Sequence, residues 1–184
     1  MVDVVNLFMK ASHSNVIENF LEVYKMNLRL ADFTEIYAKE VCDWKYDHIY
    51  SIYNYPGWDK VSNEKWGITI EEKRESEFNA VIDDCNCLCG YIRLLDKNQC
   101  IFIGIGLKPS LCGQGLGKVL MEIVKEQCKK IYPDKKIALE VRSFNERAIK
   151  CYKSAGFNVV DTYRKDTPLG YGEFVRMELP EHSS

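Results

Sequence analysis

Long apolar runs are missing from this 184-residue chain. No stretch approaches the roughly 18 consecutive apolar residues that a membrane helix requires, so no span is predicted. An excess of one charge is missing too, because 25 lysines and arginines stand against 27 aspartates and glutamates, a formal net charge of -2. That balance excludes a general electrostatic attraction to nucleic acid or to an anionic membrane, both of which rest on a basic excess. Histidine is scarce: His13, His48 and His182 are the three in the chain. There is no charge block or low-complexity tract. The opening "MVDVVNLFMK" has an acidic residue before a short apolar stretch and lacks the basic leader of a secretory signal, so a cytoplasmic location is expected.

What is present reads as a globular protein. Charged residues make up 28% and hydrophobic ones 46%, near the averages for soluble domains. A chain of this length buries roughly 70% of its unfolded surface around one core, so one domain is expected over residues 1–184. The eight cysteines fall inside apolar or helical patterns, which favours reduced thiols over a disulfide framework. In "DDCNCLCGY", Cys85, Cys87 and Cys89 alternate, whereas zinc sites pair cysteines as C-x2-4-C with a second distant pair. The expectation is three small hydrophobes on one face of a hairpin, and no metal.

Periodicity divides the rest. Val16, Ile17, Phe20, Leu21 and Tyr24 fall at helical spacing, predicting a leading helix over 1–24. "MNLRLA" alternates like a strand. Phe33, Ile36, Tyr37, Val41 and Trp44 share a helical face behind Asp32, a candidate cap. An aromatic region follows, broken at Pro56-Gly57. Three strands are predicted between Glu77 and Leu107, with turns at Asp83 to Asn86 and Asp96 to Gln99. Leu116, Val119, Leu120, Ile123, Val124, Cys128 and Ile131 make a helical stripe that ends before Pro133. "KIALEV" is a strand, "NERAIKCYKSAGF" a helix capped by Asn145 and closed at Gly156, and two strands finish the chain. The order predicts an α/β fold with a mixed sheet.

The informative stretch is "LKPSLCGQGLGKVL", residues 107–120. It fails as a P-loop, since Cys112 and Val119 stand where a glycine and a hydroxyl belong, and as a dinucleotide fingerprint, since Lys118 takes the place of the third glycine. A glycine-rich turn opening a helix still presents free N–H groups and a positive dipole end to an anion. From these features alone, phosphate binding and a turn that merely packs both stand.

The same residues resemble the acetyl-coenzyme A signature of the GCN5-related N-acetyltransferase (GNAT) superfamily. Leu107 and Pro109 match its V/L-x-P segment, and Gly115 and Gly117 match the small residues of Q/R-x-x-G-x-G/A. Cys112 stands at the Gln/Arg position, a departure. "LEVRSFNERAIKCYKSAGF" is similar to the downstream block at Asn145, Ala148, Ile149, Tyr152, Gly156 and Phe157. Taken alone, those helical positions read equally as a capped core stripe. The resemblance spans roughly residues 26–180. It implies a mixed, mostly antiparallel sheet flanked by helices, with a V-shaped splay between the fourth and fifth strands, Ile101 to Leu107 and Ile137 to Val141. It also implies acetyl-CoA as cosubstrate, held by the backbone of Gly106, Leu107, Cys112, Gly113, Gln114, Gly115, Leu116, Gly117 and Lys118 together with Asn145.

The implied reaction moves an acetyl group directly to a primary amine. An amine with a pKa near 10.4 calls for a base, the thioester carbonyl for polarising N–H groups near Gly106 and Leu107, and the leaving thiolate for an acid. The resemblance assigns the acid to Tyr152. Glu140 matches the glutamate of ribosomal-protein N-terminal alanine acetyltransferases in "LEVR" and is the candidate base, with a solvent-facing glutamate the alternative because strand register is open. Trp44, Tyr46, Tyr50 and Tyr53 are candidate acceptor contacts, Tyr46, Tyr50 and Tyr53 sharing a helical face, and packing against the sheet accounts for them equally. The loop "RKDTPLGYG" is a candidate second wall. A small-molecule amine is favoured over a peptide N-terminus as acceptor. A non-catalytic acyl-CoA-binding domain is the rival reading, and a homodimer is left open.

Overall fold

A computed structural model describes residues 27–180; the leading helix predicted over 1–24 lies outside them. The strands are β1 (Arg29–Asp32), β2 (Phe78–Ile82), β3 (Leu88–Asp96), β4 (Cys100–Leu107), β5 (Lys136–Arg142), β6 (Asn158–Lys165) and β7 (Gly172–Glu178). They form one sheet in the order β1-β2-β3-β4-β5-β7-β6. Neighbours pair antiparallel except β4 and β5, which are parallel. This is the mixed, mostly antiparallel sheet that was expected. Parallel neighbours need a long crossover, and here α4 (Leu116–Ile131) supplies it.

The meander β2-β3-β4 follows from alternation broken by turn residues. At the first turn the Asp83 carboxylate accepts from the N–H groups of Cys85 and Cys87 at 2.9 and 2.8 Å, and Asn86 takes a positive φ of 61°. Cys85 and Cys87 therefore sit exposed in the turn while Cys89 alone is buried, so the three thiols do not line one strand face. Among the described residues, no group of three or more His, Cys, Asp or Glu side chains is placed to hold a metal.

Helix α1 (Glu35–Asp43) begins at Thr34, whose Oγ1 accepts from the Tyr37 N–H at 3.4 Å. Asp32 instead ends β1, and Ile36 lies off the buried face of α1, 76% exposed. Ala38, Val41 and Cys42 form the buried side. The aromatic region is not the regular helix expected: a 3-10 turn covers His48–Tyr53 with Tyr46 ahead of it, followed by two short helices, α2 (Trp58–Asn63) and α3 (Glu71–Glu77). Helix α4 buries Leu116, Leu120, Met121, Val124 and Cys128, but Val119 and Ile131 drift off the stripe and are exposed. Helix α5 (Glu146–Ser154) starts at Asn145, whose Oδ1 accepts from the Ala148 N–H at 3.1 Å.

Two cores result, one on each face of the sheet. On one face Ile92, Ile101, Leu139 and Val141 pack with Leu120, Val124 and Phe157. On the other, Phe78, Ala80 and Ile82 pack with Phe33, Val41 and Trp44. Among the described residues no helix is long and apolar enough to cross a membrane.

Candidate active site

The parallel ladder between β4 and β5 runs only from Cys100↔Lys136 to Ile103↔Leu139. Beyond it Gly104–Leu107 stays on β3 and Glu140–Arg142 stays on β7, so the two strands part at their C-terminal ends. This is the splay expected between the fourth and fifth strands. Open backbone follows: the Lys108 N–H donates to the Cys89 carbonyl at 2.8 Å, and in an antiparallel ladder residues alternate between facing the partner and facing away. Gly106 thus turns its backbone groups to β3, and Ile105 and Leu107 turn theirs to the opening. The Leu107 N–H therefore points to the opening, where the sequence predicts a polarising donor near Gly106 and Leu107. Gly106 is needed for room, since a Cβ there would lie 2.2 Å from the Tyr91 ring.

A cavity of about 580 Å³ occupies the splay. At one end lies the glycine turn. Gly113 and Gly115 take φ of 81° and 87°, with open space where a Cβ would stand. L-residues rarely adopt that conformation. Gly115 opens α4 with no side-chain cap; the Lys118 N–H turns back to the Gly115 carbonyl at 3.0 Å, and the Gly117 N–H is left for a ligand. Gly117 brings the turn against α5, where a Cβ would meet Cys151 Sγ at 3.2 Å. Leu116 is fully buried and packs into the core beneath the turn. The Gln114 amide donates to the Ser110 carbonyl at 2.7 Å. Lys118, Arg147 and Lys150 line this part of the cavity.

Cys112 lines it as well, its thiol directed to the Leu107 carbonyl at 3.7 Å. Burial raises that thiol's pKa, with the charge of Arg147 pulling the other way. Burial likewise holds Tyr152 well above the ordinary phenol value, with Cys151 and Tyr53 adding to the effect. The phenol therefore stays protonated at neutral pH.

The opposite wall is aromatic. The Tyr46 hydroxyl donates to the Leu107 carbonyl at 2.8 Å, and Asn54 clamps the Tyr46 backbone by accepting from its N–H at 2.6 Å and donating to its carbonyl at 3.2 Å. Asn145, besides capping α5, donates through Nδ2 to the Tyr53 hydroxyl at 3.2 Å. Tyr50 lies beneath the Arg147 guanidinium, 4.6 Å from ring centroid to Cζ, and beside Phe144. Trp44 and Tyr91 complete the wall, their centroids 6.1 Å apart.

Glu140 faces this wall, since its neighbours Leu139 and Val141 point into the other core. Its carboxylate accepts from the Tyr163 hydroxyl and the Lys165 ammonium. Burial and that contact push the Tyr163 phenol up to about 12. Arg142, 4% exposed, donates to the carbonyls of Leu169 and Gly170 at 3.0 Å each and to Thr167 Oγ1 at 3.2 Å. One buried guanidinium thus fastens the loop 166–171 to the end of β5.

The cavity brings together most of the residues singled out from sequence: Leu107, Cys112, Gly113, Gly115, Gly117, Lys118, Glu140, Asn145, Tyr152, Trp44, Tyr46, Tyr50 and Tyr53. Gly106, Gln114 and Leu116 stand behind its surface. Tyr55, in the same aromatic segment, lines the cavity too; the sequence reading missed Tyr91, Arg142, Arg147, Tyr163 and Lys165. Arg147 and Lys165 lay inside quoted motifs; Tyr91 reaches the site only through its register opposite Gly106.

Fold and cleft define a class: an α/β protein with a sheet opened between two parallel strands, and a glycine-turn cradle at the opening. Residues 33–157 match the family model described as the acetyltransferase (GNAT) family. The chain belongs to that family. A spermidine N-acetyltransferase SpeG chimera from Vibrio cholerae and hSSAT superposes with a TM-score of 0.65 at 19% identity, over 84% of this chain and 94% of that one. The ribosomal-protein-S18-alanine N-acetyltransferase from Escherichia coli superposes with a TM-score of 0.59 at 20% identity, over 84% and 94%. At such identities the likeness speaks to the fold. No curated protein sequence matches the chain.

Proposed function

We propose that the chain, as one domain, is an acetyl-CoA-dependent N-acetyltransferase that passes the acetyl group directly to the primary amine of a small molecule. The observation that carries this reading is that the open ends of β4 and β5, the glycine turn, Tyr152 and Glu140 all border one cavity. Acetyl-CoA supplies the activated acyl thioester when bound. The residues present fit it: the free N–H at the start of α4 suits a pyrophosphate, and Lys118, Arg147 and Lys150 offset its charge. The Arg147 guanidinium also acts on Cys112, which supports binding despite the missing Gln/Arg side chain.

The chain's own groups then have distinct tasks. The Leu107 N–H polarises the acyl carbonyl. Glu140 takes the proton of the attacking amine, and Tyr163 and Lys165 hold its carboxylate in place. The new N–C bond forms as the C–S bond breaks, and Tyr152 gives its proton to the departing sulfur. Spermidine and ribosomal-protein-S18 alanine are the acceptors named for the two neighbours. The aromatic wall favours a small molecule here.

The test is thiol release from acetyl-CoA with a panel of amines, with the acetylated product identified by mass. Product with wild type and its loss in Tyr152→Phe support the reading. Acetyl-CoA binding without product from any amine or peptide sinks it in favour of a non-catalytic binding domain.

A further inference from the structure

Four glycines stand in the described strands: Gly90, Gly104, Gly106 and Gly172. Glycine weakens a strand, so each of these places needs a reason. Three have one in the protein's own packing. A Cβ would lie 2.7 Å from the Gly106 carbonyl oxygen at Gly90, 2.2 Å from the Tyr91 ring at Gly106 and 2.2 Å from the Arg142 guanidinium at Gly172. Gly104 has no such reason. It takes no positive φ, it pairs with Arg93 in an unbroken register, and the nearest atom to a Cβ there is Arg93 Cβ at 3.7 Å, an ordinary contact. Strand glycines of this kind mark places where a ligand comes close to the backbone.

Gly104 lies where two cavities meet. The second, of about 500 Å³, reaches Trp66, Ile68, Phe78 and Pro168, and it shares Tyr55, Tyr91, Gly104 and Ile105 with the cavity of the splay. Of the four shared residues Gly104 alone presents no side chain, and none of the four carries a charge. The loop 166–171 borders both cavities, Leu169 lining the first and Pro168 the second. Arg142 holds that loop through the Leu169 carbonyl.

Gly104 also adjoins the candidate base. The β4-β5 ladder ends at Ile103↔Leu139, so the next residues along are Gly104 and Glu140, and both line the first cavity. From Glu140 on β5 across Gly104 on β4 to its partner Arg93 on β3 is two strand spacings, about 10 Å. A guest whose nitrogen sits at Glu140 and whose body lies over Gly104 reaches the second cavity, where Arg93 is held by Glu77 and the Trp66 indole N–H by Glu64.

On the acetyltransferase reading, we propose that the acceptor is an extended primary amine whose uncharged middle, about 10 Å long, lies over Gly104, with its far end in the second cavity. Gly104 is then a specificity-determining residue, kept small to let the substrate through.

The full chain is assayed for acetyl-CoA binding by titration calorimetry, and for kcat/KM with the linear 1-aminoalkanes from propylamine to decylamine and with spermidine, which places an ammonium group in the middle stretch. Turnover should climb with length, by up to about fourfold per methylene, octylamine exceeding butylamine at least tenfold. Gly104→Val should bring the octylamine-to-butylamine ratio close to one with acetyl-CoA affinity unchanged. Gly104→Ala, whose Cβ makes only an ordinary contact, should melt about 1–4 °C above wild type and lower the ratio at least twofold; it decides the matter should Gly104→Val fail to fold. A flat length profile in wild type would overturn the proposal, as would an unchanged ratio in either folded variant or faster turnover of spermidine than of octylamine. A Gly104→Ala that melts below wild type overturns it too, since the glycine would then serve packing. Acetyl-CoA binding with no alkylamine acetylated overturns this proposal and leaves the acetyltransferase reading standing; absence of acetyl-CoA binding removes both.

Discussion

On one wall of the cavity Gly113, Gly115 and the first turn of α4 offer main-chain N–H groups; on the other, Trp44 and five tyrosines offer rings. The first wall is made by local conformation. Two positive φ angles and a helix start suffice, so nearby side chains can change, as Cys112 shows, while the cradle persists. The second wall is made by contacts between distant segments, Tyr46 to Leu107 and Tyr53 to Asn145. A fold built this way can keep its acyl-donor side and vary its acceptor side. The two walls therefore answer differently to mutation.

The largest effect is expected where the walls meet. Tyr152→Phe removes the phenolic proton and should lower kcat by about 10²–10⁴-fold, with acetyl-CoA affinity unchanged; an equal loss of binding would make Tyr152 part of the cradle alone. Because burial holds this phenol above its ordinary value of 10.0, the donor stays protonated and wild-type kcat should not fall with rising pH below 10. An alkaline limb centred near pH 8 would assign the proton to another group.

Stability should also carry an alkaline signature. Burial raises the phenols of Tyr46, Tyr53, Tyr55 and Tyr91 above 10.0, the thiols of Cys42 and Cys89 to about 11 and that of Cys128 to about 12, against an ordinary thiol value of 9.0. A group whose folded pKa lies above its unfolded one contributes stability that is whole below the unfolded value and is lost as pH rises toward the folded one. Melting temperature should thus hold steady up to pH 9 and fall from there to 12. A rise across that window would contradict these burials.

Asn145 separates the two walls more finely. Asn145→Ala removes the cap of α5 and the donor to Tyr53, costing about 1 kcal/mol for the cap, or about 2–4 °C in Tm. Asn145→Asp keeps the capping oxygen and reverses the Tyr53 contact, the phenol now donating to the carboxylate, so it should melt within about 1 °C of wild type. Equal melting of both variants would mean the cap matters little.

The same contrast explains what could be read beforehand. Gly113, Gly115, Gly117 and Asn145 act through their own backbone or three residues on, so spacing announces them. Strand alternation likewise exposes the meander and the placement of Glu140 opposite to Leu139 and Val141. The aromatic region resisted, because a 3-10 turn and two short helices carry too little periodicity to register. Thr34 beat Asp32 as the cap of α1 because both residue types cap well and only the end of β1 decides between them. Tyr163 and Lys165 reach Glu140 through the β5-β7-β6 register, and Arg142 reaches its loop across the same strands. Such pairings are long-range facts of topology.

The account's central claim is that the glycine turn holds acetyl-CoA through its main chain. Titration calorimetry of wild type, Gly115→Val and Tyr152→Phe tests it most directly. The account predicts one site per chain in wild type, unchanged affinity in Tyr152→Phe, and at least a tenfold loss in Gly115→Val, whose branched side chain resists the left-handed φ of 87°. Wild-type affinity in a folded Gly115→Val, or no heat of binding in wild type at millimolar acetyl-CoA, would contradict it.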